Sequence, residues 1–411
     1  MRTLAGLAAI VVVIAASQIA SAADQGFIFG TITTEWGDQY TGRIRWDQNE
    51  GFWDDILDAT KDEEQPYTPR RASQRKKVSL FGLKIYEEEG WGWSSSSSAQ
   101  LRFGHIKSIE PRSRDRALVT LKNGEVLRFE GSGSDLGSDN RGIVMDVEGE
   151  GILEMEWRDV EHVEFFPEPD DYTPSDDRVE RLYGRVTTED DETHTGFIVW
   201  DADEIYTTDV LDGDEDGRDR EIRFGRIAAI EKRGSDGCLV QLANGRDMRL
   251  TGSNDVDSGN RGISIVIADL GRLEVEWDNF RRIDFVTAPA GAMATYDRFD
   301  GGRRLRGTVT SEWGDSYTGE ITWDNDERYS WEFLNGETQG FGADIEFGAI
   351  ASIKRLSRRG CQVTLRNGMS FELRGSNDVD EDNKGVFVET DEGDLEELDW
   401  DDFEKVEFSA P

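Results

Sequence analysis

The chain has 411 residues, 86 of them acidic and 47 Lys or Arg, for a formal net charge of −39. A field of that sign repels nucleic acid and anionic lipid, which removes both from the expected partners. Only two cysteines are present, too few for a disulfide-stapled exported scaffold.

The chain opens MRTLAGLAAIVVVIAASQIASA. Arg2, the apolar run Leu4 to Ala16 and the small residues Ala20-Ser21-Ala22 have the three-part form of a secretory signal peptide over residues 1–22. Export to a periplasm or the extracellular space is therefore expected. The apolar run is short for a spanning helix, which needs roughly 20 residues, and no later segment reads as a membrane span.

Three landmarks then recur in a fixed order, the mark of internal repetition. GxIxWD stands at Gly42 (GRIRWD), Gly196 (GFIVWD) and Gly319 (GEITWD). FGxI follows at Phe103, Phe224 and Phe347, and an Asn-Gly pair at Asn123, Asn244 and Asn367, each 20 residues after its Phe. A last Trp, at 157, 277 and 400, lies 17 residues after the Asn of each NRG or NKG step. These spacings predict three copies, at residues 23–166, 178–287 and 302–409. The segments between them, Phe166–Asp177 and Thr287–Gly302, hold Pro167, Pro169, Pro174 and Pro289 and read as exposed connections.

Within each copy the pattern is that of strands. In YTGEITW, Tyr317, Gly319, Ile321 and Trp323 alternate with polar residues, the period of a half-buried strand. Asn-Gly between apolar runs is the strongest short hairpin signal. The fold class expected is all-β: three tandem copies of a small barrel or sandwich-like domain, each of seven or eight strands. The recurring tryptophans Trp46, Trp200, Trp323, Trp157, Trp277 and Trp400 fall at inward positions and read as core. Cys238 and Cys361 share one strand position with Ala117, so they read as free buried thiols or as a bridge between copies.

The hairpin GTVTSEWGDSYTGEITWDNDE resembles the first motif of Sm-like and SH3-like small barrels: strand, turn, strand with an inner Gly, then Asp. The resemblance covers about 20 residues per copy and implies a barrel-like shape. The second Sm motif is not evident, and the acidic charge argues against the RNA binding of Sm proteins.

Copy one carries an insertion at about 55–100, with a basic cluster (Arg70, Arg71, Arg75, Lys76, Lys77), a serine run, and Trp91 and Trp93. It reads as a flexible loop or as a contact arm anchored by the two tryptophans. Trp36 and Trp313 stand at hairpin tips where copy two has Asp190. They are candidate contacts for a sugar or a protein, or rings folded back onto their own strands.

The most suggestive loops are TGSNDVDSGNRGI and RGSNDVDEDNKGV. Asp255, Asp257 and Asn260, with Asp378, Asp380 and Asn383, supply the alternating oxygens that calcium takes. The spacing is not that of an EF-hand, and Ser, Asn and Asp in such loops also bond nearby backbone N–H groups as turn formers. No cofactor is otherwise indicated. His105, His162 and His194 fall at unrelated places in their copies, and no nucleophile elbow, HExxH or Walker loop occurs. The expectation is an exported, non-catalytic binding or structural module of the cell envelope, with an envelope protein or glycan as partner. The alternatives are a calcium-stabilised adhesion-type module and a glycan hydrolase using paired carboxylates.

Overall fold

The computed structural model describes residues 25–61, 98–130 and 135–410. The signal-like segment 1–22, Trp91, Trp93 and the basic cluster lie outside the described residues. The described chain is all-β, with several antiparallel sheets, short 3-10 turns and no α-helix. Among the described residues no helix is long and apolar enough to cross a membrane.

The strands are numbered β1 to β30 in chain order. Counted within the first ten, the sheet order is fourth, third, seventh, sixth, fifth, tenth, first, second, eighth, ninth. The second ten, from Tyr183–Thr188 to Phe280–Phe285, take the same order. The third ten take it with a difference. Their third and fourth members, β23 (Phe333–Thr338) and β24 (Phe341–Glu346), leave the eight-stranded third sheet and extend the second one. There β24 pairs antiparallel with β19 (Gly271–Val275), from Gly271 opposite Ile345 to Glu274 opposite Gly342. One bridge, Glu337 to Arg374, still ties β23 to the third sheet.

The first two strands of each set follow from the alternating pattern and from glycine. β1 (Phe29–Thr34) and β2 (Gln39–Arg45) put Gly30 opposite Gly42, and the later sets put Gly184 opposite Gly196 and Gly307 opposite Gly319. A Cβ on Gly42 would stand 1.9 Å from the Asp146 carbonyl oxygen, and one on Gly319 would stand 2.0 Å from that of Glu389. Only glycine lets the next strand approach this closely. Each set also has a register shift late in its first strand, at Thr33/Thr34, Thr187/Thr188 and Thr310/Ser311. Such bulges sharpen the local bend.

Among the described residues ten strands are seen per set rather than seven or eight. The additional pairs, such as β13 (Val210–Asp214) with β14 (Asp219–Arg223), are rich in charged residues and lack the alternation that marks the others. In the first set that pair is β3 (Ile56–Lys61) with β4 (Ser98–Arg102). Both ends of the stretch read as an insertion are therefore strand, and residues 62–97 between them lie outside the described residues.

Trp46, Trp200 and Trp323 are fully buried and meet Trp157, Trp277 and Trp400 edge to face at 6.2, 6.4 and 6.2 Å. Cys238 and Cys361 are both free and buried, and burial pushes the Cys238 thiol up to about 12. The apolar core of the second sheet runs without a break into that of the third.

The segment 287–302 is not an exposed connection. Ala294, Tyr296 and Phe299 are buried in the core of the first sheet, together with Trp331. The Tyr296 hydroxyl donates to the Ile106 carbonyl at 2.9 Å, and the Phe299 ring lies 5.1 Å from that of His105. Proline signalled a connection, but its Tyr and Phe carry enough apolar area to bind it down. The earlier connection is packed as well: Tyr172 stands edge-on to Phe29 at 4.9 Å and donates to the Asp146 carbonyl.

Candidate functional site

The GSNDV loops are built around one buried aspartate each. Ser253 and Ser376 accept from the backbone N–H two residues on, which starts a 3-10 turn. The turn aims the Asp255 carboxylate at the backbone N–H of Asp212 (2.7 Å) and the Asp378 carboxylate at that of Asn335 (2.7 Å). Asp135 does the same for Asp58 in the first set. The backbone carbonyls of these aspartates accept from the buried indoles of Trp200, Trp323 and Trp46, at 2.9, 2.9 and 2.7 Å. Each loop therefore latches a core tryptophan to the third strand of its set. Burial pushes Asp255 up to about 6 and Asp378 up to about 7.

The other residues of these loops are engaged in turns. Asn260 and Asn383 accept from Gly262 and Gly385, at 3.0 and 2.9 Å. Asp257 accepts from Gly259 at 2.7 Å and Asp380 from Asp382 at 2.9 Å. In the six residues named as calcium ligands, side-chain oxygens accept from backbone N–H groups of their own loop or of the neighbouring strand.

A different cluster lies next door. After each landmark Trp the chain turns through WDQNE, WDADE or WDNDE. The two residues after the Trp take positive φ: 44° and 65° at Asp47 and Gln48, 48° and 68° at Asp201 and Ala202, 45° and 73° at Asp324 and Asn325. Asp47, Asp201 and Asp324 are buried and accept from the backbone N–H of Arg141, Arg261 and Lys384, in the NRG or NKG step. One oxygen from each of Asp201, Asp203 and Glu204 lies within 4.8 Å of the others, and the same holds for Asp324, Asp326 and Glu327. These residues were not singled out from the sequence. The signal was present: D-x-(D/N)-E three times, directly after the most regular landmark.

A cavity of about 480 Å³ opens where the three sheets meet, with Arg102, His105, Arg298, Arg303, Glu346 and Arg366 in its wall. Arg102 is 1% exposed and donates to the carbonyls of Ala268 and Ile267 while pairing with Glu346 at 3.1 Å. His105 Nδ1 accepts from the Gly301 N–H at 3.2 Å, so Nε2 carries the proton toward Glu346, 2.9 Å away. Burial works to raise the Glu346 pKa, but Arg102 and the His105 hydrogen bond outweigh it and hold the carboxyl below its usual range.

Trp36 and Trp313 are 72% and 69% exposed, so neither ring folds down onto its strand. His194, at the strand position of Tyr40 and Tyr317, is half-buried and faces Phe341 of β24 at 4.7 Å. No family model matches the sequence, and comparison with curated proteins and with solved structures finds no match.

Proposed function

We propose that this protein is an exported, non-catalytic binding or structural module of the cell envelope, built from three copies of one antiparallel, barrel-like β unit. What supports this reading above all is the strand order, taken by the first and second sets and kept by the third apart from its displaced pair, together with the joining of the sets by a shared sheet. In the first set the core residues of ten strands fall in one cluster, which is the arrangement a barrel-like unit would give. An acidic body with exposed tryptophans on two hairpin tips suits a surface that engages a glycan or an envelope protein at more than one point.

The test is binding of the exported chain to purified envelope polysaccharides and peptidoglycan, compared with the Trp36→Ala/Trp313→Ala double variant. Retention by one of these polymers, lost in the double variant at unchanged melting temperature, is the expected result. Turnover of a glycan substrate that a single Asp→Asn or Glu→Gln change abolishes would replace this reading with the hydrolase.

A further inference from the structure

We propose that the turns Asp47–Glu50, Asp201–Glu204 and Asp324–Glu327 are three binding sites for a hard divalent cation, calcium by size, with the glutamate as the inward ligand. The proposal is independent of the docking role above. It moves the cation from the GSNDV loops to the turns beside them.

Acidic clusters are common on so acidic a chain; what sets this one apart is an unpartnered buried carboxylate. Glu50 is 4% exposed, and its Oε2 is fully enclosed with no hydrogen-bond partner. The charged groups acting on it include the carboxylates of Asp135 and Asp47, then those of Asp55 and Asp58. Beside it, the Asn49 Oδ1 is likewise enclosed and without a partner. The feature recurs: Glu204 Oε2 in the second turn and Asp326 Oδ1 in the third are enclosed and unpartnered. A desolvated carboxylate facing other carboxylates is costly unless a cation sits among them or a proton neutralises it.

The donor set selects the ion. All the side-chain ligands are oxygens, two or three carboxylates with one amide oxygen in the first turn, which favours calcium, magnesium or manganese over the softer metals. Calcium takes oxygens at about 2.3–2.6 Å, so ligands on opposite sides of one ion stand about 5 Å apart. The 4.8 Å spread of the second and third clusters lets one such ion touch all three carboxylates. The first two residues of each turn, held at positive φ, bend the chain tightly, and in the second and third turns the first and last carboxylates come together.

The three sites are not equal. Arg261 lies 2.6 Å from Asp203 and 3.2 Å from Asp201, and Arg141 lies 3.2 Å from Asp203. Arg141 also pairs with Asp47 at 3.0 Å. In the third turn the matching residue is Lys384, whose backbone N–H is what meets Asp324. The second site, already partly neutralised, binds most weakly and the third most tightly.

The test uses the full chain stripped with EDTA. Terbium is the first probe, because Trp46, Trp200 and Trp323 each directly precede a turn and can sensitise its emission. Sensitised emission displaced by calcium, a melting temperature raised by about 5 °C or more at millimolar calcium, and calorimetric titration reaching three calcium ions per chain are expected. Glu50→Gln and Asp326→Asn/Glu327→Gln should each remove one equivalent, while in EDTA Glu50→Gln melts no lower than the parent because it deletes an uncompensated charge. No sensitised emission, with melting indifferent to EDTA and calcium, would mean that buried protons neutralise these carboxyls and would overturn the proposal. Calcium uptake of unchanged stoichiometry in both variants would overturn it too, placing the ions elsewhere on the acidic surface. Should a variant fail to fold, the terbium and calcium results on the parent chain decide alone.

Discussion

Arg102, from the last residue of β4, meets Glu346, from the last residue of β24, at 3.1 Å with both side chains almost wholly out of water. The pair joins the first sheet to the second across the central cavity. Removing one partner from a buried pair leaves an uncompensated charge, at a cost of about 3–5 kcal/mol. Glu346→Gln should therefore lower the urea midpoint sharply at pH 7, and Arg102→Leu/Glu346→Leu should lower it less.

The same pair sets a pH dependence. The folded-state pKa of Glu346 lies below its unfolded value, so its contribution is present above about pH 4.5 and fades as pH falls through the folded value. Urea melts at pH 7, 5 and 3.5 should show the parent losing more stability between pH 5 and 3.5 than Glu346→Gln does. Equal losses would mean that other carboxylates carry the acid sensitivity.

Gly104 is the floor on which Phe299 rests: a Cβ there would stand 2.0 Å from the ring. Gly104→Ala should lift the 287–302 segment and cost about 1–3 kcal/mol, as overpacking does. Its marker is faster proteolytic cleavage within that segment. Adding Phe299→Leu should recover part of the loss, because the two positions are coupled by direct contact.

The GSNDV loops and the neighbouring turns make opposite predictions. Asp378→Ala strands the Asn335 N–H and should cost about 1–3 kcal/mol whether calcium or EDTA is present. Asp380→Ala removes only a local turn bond and should change stability by less than about 1 kcal/mol, with calcium stoichiometry unaltered. Loss of a calcium equivalent in Asp380→Ala would return the ligand role to the GSNDV loop.

Trp36→Ala and Trp313→Ala should each leave the melting temperature nearly unchanged, within the roughly 0.5 kcal/mol usual for exposed positions. A large loss would mean that the rings are covered by another part of the protein or by a second copy.

The sequence was most legible where a local rule sufficed. Period-two alternation and Asn-Gly corners marked the all-β character. Asn123 makes the local bond such a corner needs, accepting from Glu125 at 2.8 Å. It was least legible where the partner lies far along the chain. Nothing in FGADIE says that its strand will pair with Gly271–Val275, because a strand edge offers the same backbone groups to any neighbour. The 287–302 segment misled for the converse reason: its proline and glycines are local signals, while Tyr296 and Phe299 act only through a distant core. At the candidate site the carboxylates could be counted from the sequence. What could not be seen was which ones spend their oxygens on backbone N–H groups and which, like that of Glu50, are left without a donor.

The exchange of β24 onto β19 has a consequence for how this chain matures. A string of independent beads could be finished one after another as each leaves the ribosome. Here the second sheet stays raw along one margin until residue 346 has been made, and the first waits for Phe299. The nascent polypeptide therefore carries an open strand edge through much of its synthesis, the state in which wrong pairings arise.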